Sequence, residues 1–263
     1  MNKVFATWIY SLSAVVFTLV IYSCGPGVLS KNTYSNGSGS PSVGSPFLRA
    51  LQFTASNSAV TLNFPSSINA ANAGPVTVEA WIRVDSVPAA NGMIYQHQSG
   101  SFYPQLYVNS TMHLVGVMAN GACGTAYTVT SVSTLTLGKH YHVAISNSTS
   151  TVYMYLNGVF DSSYAGTSPM TCTATTAIVG NDYTGASGFP GVIDEVRVTN
   201  LALYPNGTNF TPPTAPFPND GTAVVLYHAD NPMIPGSVAP GELPASTTVS
   251  VTGSVNSIAS PFP

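Results

Sequence analysis

The chain has 263 residues with nine acidic and six basic side chains, and only 6% of it is charged, against roughly 25% in an ordinary soluble domain. So few cations cannot neutralise a run of phosphates, which excludes a nucleic-acid partner. A long solvated helix or coiled coil would lack the Glu, Lys and Arg that its outer face needs. An apolar content of 44% still provides for a core, and the length suits one domain with a short satellite.

Lys3 precedes twenty uncharged residues, 4–23, with an apolar heart at 14–22 (AVVFTLVIY), and Cys24 and Gly25 follow. A short positive region and an apolar stretch are the ingredients of an export signal. Ile21, small Ser23 and Cys24 together resemble the lipobox of bacterial lipoproteins, whose cysteine becomes the first residue and carries lipid. The resemblance implies a signal over 1–23, lipid attachment at Cys24 and an exported protein. Its acyl chains would anchor it to a membrane of the bacterial cell envelope, with the outer membrane or cell surface as destinations. A retained N-terminal helix and ordinary cleavage near Ser23 are the alternatives. Residues 24–46 are rich in Ser, Gly, Asn and Pro and read as a tether.

With Cys24 set aside, Cys123 and Cys172 form an even pair in an oxidising compartment. A disulfide between them would close a loop of about fifty residues, contributing on the order of 3–4 kcal/mol. Two separate free thiols are the alternative, and neither cysteine has neighbours at zinc-ligand spacing.

From residue 48 onward the apolar period is two and the segments are short. Val76, Val78, Ala80, Ile82 and Val84 alternate with Thr77, Glu79, Trp81 and Arg83, which predicts a strand with one face on the core. Further strands are expected over 60–64, 93–96, 105–108, 112–118, 126–130, 142–146, 151–156, 177–179, 192–198 and 223–228, and a turn over 66–73. Asn157-Gly158 between TVYMYL and Val159-Phe160 is a strong hairpin signal. Ten or more strands without a long amphipathic helix predict an all-β fold, a sandwich of two antiparallel sheets.

VTVEAWIRVDS (76–86), GKHYHVA (138–144), VYMYLNGVF (152–160) and GFPGVIDEVRVTNLAL (188–203) follow one another along the chain. With FTPPTAPF (210–217) and AVVLYHAD (223–230) they resemble the laminin-G-like, concanavalin A-like lectin/glucanase jelly-roll superfamily. The resemblance covers about 50–230 and implies a jelly-roll domain over 47–230. Relatives of this kind adhere to glycans or proteins or serve as accessory domains. Two positions depart from the pattern: Phe53-Thr54-Ala55 stands where Phe-Asp-Gly is usual, and His140-Tyr141 precedes His142 where a Trp is usual. The first departure removes an acidic residue and weakens any carried-over calcium site.

Residues 231–263 are expected to be a Pro-rich crossing followed by an extra strand. The run STTVSVTGSV (246–255) alternates, and SIASPFP (257–263) echoes SVGSPF (42–47). It reads either as a truncated second copy or as a strand that pairs near residues 48–53.

Chemistry is sparse. Asp194 and Glu195 are adjacent, so they are expected on opposite faces of their strand, not as the paired carboxylates of a glycosidase. No Glu-x-Asp-x-x-Glu pattern, Gly-x-Ser-x-Gly elbow or phosphate loop occurs, so the chain is not read as an enzyme. Asp194, in phase with Val192, Val196 and Val198, is expected on the inner face as a structural carboxylate that accepts backbone N–H groups or pairs with Arg83 or Arg197. In GNDYTGASG (180–188), Asp182 and Asn181 are candidate calcium ligands, although calcium takes six to eight oxygens and Asp85 and Asp161 would have to help. His140 and His142 share a strand face without a third zinc ligand. The densest aromatic and amide segment is 95–107, where Tyr95, Gln98, Phe102, Tyr103, Gln105 and Tyr107, with Tyr183, are candidate contacts for a glycan or a cell-surface protein. The function expected is therefore non-catalytic binding of a carbohydrate or protein. A structural module of a surface layer or virion appendage is the alternative.

Overall fold

The computed structural model describes residues 48–69, 74–98, 103–120, 125–166, 171, 173–230, 244 and 247–263. The proposed signal, the tether, Cys24, Phe102, Cys123, Cys172 and the side chain of Gln98 lie outside this set. The described residues contain fifteen strands and no helix. In chain order these are β1 (Arg49–Phe53), β2 (Ala59–Asn69), β3 (Val76–Val84), β4 (Asn91–Gln98), β5 (Gln105–Asn109), β6 (His113–Asn120), β7 (Thr125–Thr134) and β8 (His140–Asn147). There follow β9 (Thr151–Leu156), β10 (Val159–Ala165), β11 (Thr173–Val179), β12 (Gly191–Thr199), β13 (Ala223–Tyr227), β14 (Thr248–Thr252) and β15 (Val255–Ala259).

One sheet has eight strands in the order β10-β9-β8-β3-β12-β1-β15, with β13 also on β12. The other has seven, in the order β14-β2-β11-β4-β5-β6-β7, and every pairing is antiparallel. The alternation in β3 does what its pattern predicts: Val76, Val78, Ala80, Ile82 and Val84 enter the main core between the sheets. Its other face supports a second, smaller core of Ala50, Trp81, Val192, Phe217, Ala223, Leu226 and Phe262 on the outside of the eight-stranded sheet. That sheet is thus buried on both sides, which is why β12 is buried along its whole length.

Local chemistry sets the turns. Asn157 and Gly158 both have positive φ, 51° and 74°, as a two-residue hairpin between β9 and β10 requires. At Gly158 a Cβ would lie 2.0 Å from the Phe210 carbonyl, and the Phe210 amide donates to the Gly158 carbonyl at 2.8 Å. The hairpin therefore also holds down the 200–222 segment. Over 66–69 the expected turn is replaced by strand, because β2 continues to Asn69 against Thr173 of β11, and residues 70–73 lie outside the described set.

The C-terminal segment does pair near residues 48–53, but as two strands in two sheets. β15 runs along β1 from Arg49↔Ala259 to Phe53↔Val255, and β14 runs along β2 from Ala59↔Thr252 to Asn63↔Thr248. β15 and β14 are thereby the outermost strands of the two sheets on that side. On the opposite side Asp161 of β10 accepts the amides of Val132 and Ser133 of β7 at 2.5 and 3.1 Å, joining the two sheets' outer strands.

Candidate functional site

Parity in β12 breaks at Glu195, which has a φ of 52° and is the extra residue of a bulge opposite β3. Val192 and Asp194 consequently face the outer core, whereas Val196 and Val198 face the inner one, which corrects the expectation that Asp194 points inward. The bulge is also where β12 changes partner, from β1 at Ile193 to β13 at Val196. Asp194 accepts the Glu195 amide at 2.8 Å and the Ser260 hydroxyl at 2.8 Å. Glu195 accepts the Phe217 amide at 2.7 Å and pairs with His228 Nδ1 at 2.9 Å. Burial, with Glu195 alongside, raises the Asp194 carboxyl well above the usual range, and burial raises Glu195 as well despite His228. These two side chains lock a strand junction. Asp194 thus bonds a backbone amide and the Ser260 hydroxyl, and neither Arg83 nor Arg197.

A third buried carboxylate lies on β3. Glu79 on β3, fully buried, accepts Arg197 Nε at 2.7 Å, His142 Nε2 at 3.0 Å and the Tyr204 hydroxyl at 2.8 Å. Burial pushes its carboxyl up, but His142, Arg197 and Tyr204 reverse this, and it ends below the usual range. Phe217 lies 4.6 Å from the Arg197 guanidinium. The available signal was a lone acid within the mostly apolar strand VTVEAWIRV, which lies opposite Arg197 of DEVRV. His140, by contrast, is exposed beside the Phe262 ring, 5.3 Å away, so the two histidines do not act together.

The structure divides the aromatic segment 95–107 between two faces. Gln105 and Tyr107 are half-buried on the side of β5 opposite its core residues Leu106 and Val108, whereas Tyr95 is completely buried in the main core. Tyr95 therefore cannot touch a ligand, which corrects its assignment, and Tyr103 also packs against that core. A bulge between Met93 and Tyr95 shifts the phase of β4 so that Tyr95 and His97 both point inward. Tyr183 is 49% exposed, and its amide donates to the buried Gln96 Oε1 at 3.0 Å.

Asp182 and Asn181 are occupied by their own loop. Asp182 Oδ1 accepts the Thr184 amide and hydroxyl and the Ala186 amide, and Oδ2 accepts the Ser187 hydroxyl. Burial raises this carboxyl, the four bonds outweigh that, and it lies below the usual range. Asn181 donates to the carbonyls of Ser56 and Ser58 and accepts the amides of Asp182 and Ser187. Among the described residues no three acidic, His or Cys side chains come together as metal ligands, and Asp85 and Asp161 are engaged by Arg83 and β7. The residues do not fit a calcium ion here. They clamp the β11–β12 loop to the β1–β2 crossing.

Ser56, Ala186 and Gly188, in the segments this clamp holds together, line a cleft of about 440 Å³ at the rim of the sandwich, with residues 52–55, 85–91 and 189–191 around it. The walls touch closely: a Cβ on Gly188 would lie 2.2 Å from the Ser56 carbonyl, and the Asp85 amide donates to the Pro190 carbonyl at 2.8 Å. Gln52, Thr54 and Asn91 present amides and a hydroxyl, and Val87, 51% exposed, contributes apolar surface with Pro190. The one carboxylate, Asp85, is held by Arg83 at 2.7 and 3.1 Å, so the cleft is nearly neutral. Such a mixture suits an uncharged polyhydroxylated ligand with an apolar face. In the sequence this site was only a Pro/Ala-rich loop, SVPAAN, without an aromatic to mark it.

A laminin G family model, described as the concanavalin A-like lectin/glucanases superfamily, matches residues 54–206, more than half of the chain. No curated protein matches. Among solved structures, a Bacteroides ovatus protein with a provisional carbohydrate-binding assignment is similar at a TM-score of 0.55 and 19% identity, over 83% of this chain. This chain spans 61% of that protein's length. The heptameric SAP-like pentraxin of Limulus polyphemus is similar at a TM-score of 0.53 and 14% identity, over 82% of this chain and 96% of the pentraxin. At these identities the likeness is one of fold.

Proposed function

This chain belongs to the concanavalin A-like lectin/glucanases superfamily, and from that premise we propose that it is a non-catalytic module that binds an uncharged carbohydrate in the rim cleft. The observation that carries the reading is the cleft itself, ligand-sized, nearly neutral, and lined by amide, hydroxyl and apolar groups together. The absence of catalysis is supported by the acids. Each described carboxylate accepts hydrogen bonds from its own domain, and no two converge in a cleft as hydrolysis of a glycosidic bond requires. The reading places the domain at a bacterial envelope membrane, carried on the tether from lipid at Cys24. Replacement Cys24→Ser should then shift the chain from the membrane fraction to the soluble one.

The decisive experiment is a glycan array probed with residues 25–263, with calcium and with EDTA. Selective binding that survives EDTA is expected, since Asp182 and Asn181 are occupied. Ala89→Trp, which fills the cleft from an exposed position, should reduce it at least tenfold, while Tyr107→Ala leaves it unchanged. The reverse pattern would move the site to the outer face of β5. No signal from a folded chain would count against a glycan ligand altogether.

A further inference from the structure

One uncharged piece of chain covers the edges of both sheets on the β1–β2 side. Among the described residues β14 pairs only with β2 and β15 only with β1, and the Thr54 amide donates to the Ser254 carbonyl where the ribbon passes between sheets. Val249 and Val255 enter the main core and Phe262 enters the second core against Trp81, 5.8 Å between rings. Arg49 donates to the Ser257 hydroxyl at 2.8 Å and to its carbonyl at 2.5 Å, and the Ser260 hydroxyl donates to Asp194.

We propose that the ribbon 248–263 is exchanged between copies of this chain, one copy's ribbon seating on the β1–β2 edges of a second. Reciprocal exchange gives a strand-swapped dimer, and non-reciprocal exchange gives an open string of subunits. The ribbon's contacts are the same in either arrangement, so geometry and concentration alone decide between them. Residues 231–247 connect it to β13, and their contour of about 60 Å exceeds a domain whose radius of gyration should be about 17 Å. The connection contains Pro232, Pro235, Pro240 and Pro244 and shows no apolar periodicity in its sequence. The ribbon bears no charged side chain, so nothing on it repels a neighbouring edge. A vacated seat would expose two strand edges and three apolar slots and leave Asp194 without its hydroxyl donor, so only an equivalent ribbon refills it.

The side-chain oxygens of Thr54 and Ser254 are 2.9 Å apart and exposed, which gives a direct test. Isotopically heavy full chain carrying Thr54→Cys is mixed with light chain carrying Ser254→Cys, incubated at about 1 mM, where a second copy competes with the tethered ribbon, then diluted and oxidised. The expected result is a disulfide-linked peptide joining heavy residue 54 to light residue 254, with a yield that rises with incubation concentration. A chain carrying both substitutions should link within itself when dilute, which shows that the geometry is competent. Intrachain linkage without any heavy–light linkage would overturn the proposal. So would sizing of the unmodified chain as monomer alone at about 1 mM, independently of thiol chemistry.

Discussion

Glu79 and the Asp194–Glu195 pair are buried to the same extent on neighbouring strands of one sheet, yet their carboxyls move in opposite directions. Glu79 faces a guanidinium, an imidazole and a phenol; Asp194 faces a hydroxyl, an amide and another carboxylate. Burial disfavours charge in both places, and the partners determine whether the charge survives. One site therefore holds an ion-pair network under the second core, and the other disfavours carboxylate charge at a strand junction.

The largest effect should come from removing the cation. Arg197→Met leaves Glu79 ionised and underneath Phe217, and should cost about 3–5 kcal/mol in urea unfolding. The double replacement Glu79→Leu with Arg197→Met should recover most of that loss, and equal instability of the two would contradict the pairing. The pH dependence should also separate the sites. The contribution of Glu79 is present above its ordinary value of 4.5 and is lost as pH falls through its lowered folded value. Asp194 behaves in the opposite way: stability is greatest below its ordinary 3.8 and declines as pH rises towards its raised folded value. Asp194→Asn should flatten that decline, with a gain on the order of 1–2 kcal/mol at pH 8 by thermal unfolding.

A third buried group sharpens the contrast, because it has no partner. Both ring nitrogens of His97 are buried without a hydrogen bond beside Tyr95 and Phe64, and burial lowers its pKa from 6.5 to about 3. Between those values the unfolded chain binds a proton that the folded chain refuses. Stability should then fall by about 1.4 kcal/mol per pH unit below 6.5. His97→Leu should abolish that slope, and an unchanged slope would mean that another group titrates. On the rim, Asn181→Ala removes the clamp between two loops and should cost about 1–2 kcal/mol, with weaker cleft binding than global stability loss would explain.

Much of this architecture was legible in residue order. Strict alternation marked β3 and β9 to their end residues, Asn157-Gly158 marked the hairpin, and the four motifs between 76 and 203 pointed to the family that the match over 54–206 established. The site was less legible, for a specific reason. Alternation assigns faces only while the count of residues is unbroken, and single-residue bulges at Glu195 and near Ile94 reversed the phase, sending Asp194 outward and Tyr95 into the core. Glu79 looked isolated because its partners lie 63, 118 and 125 residues away.

What the amino-acid sequence determined by itself was local and periodic: strands, turns, a nearly uncharged β surface and membership of a fold family. Tertiary structure alone decided which carboxylates keep their charge, which aromatics remain accessible, and where a cleft opens between three loops distant in sequence. It also decided that one C-terminal ribbon serves both sheets. The physical reason is that burial, bulge phase and long-range pairing depend on where the rest of the chain lies, and no window of neighbouring residues contains that information.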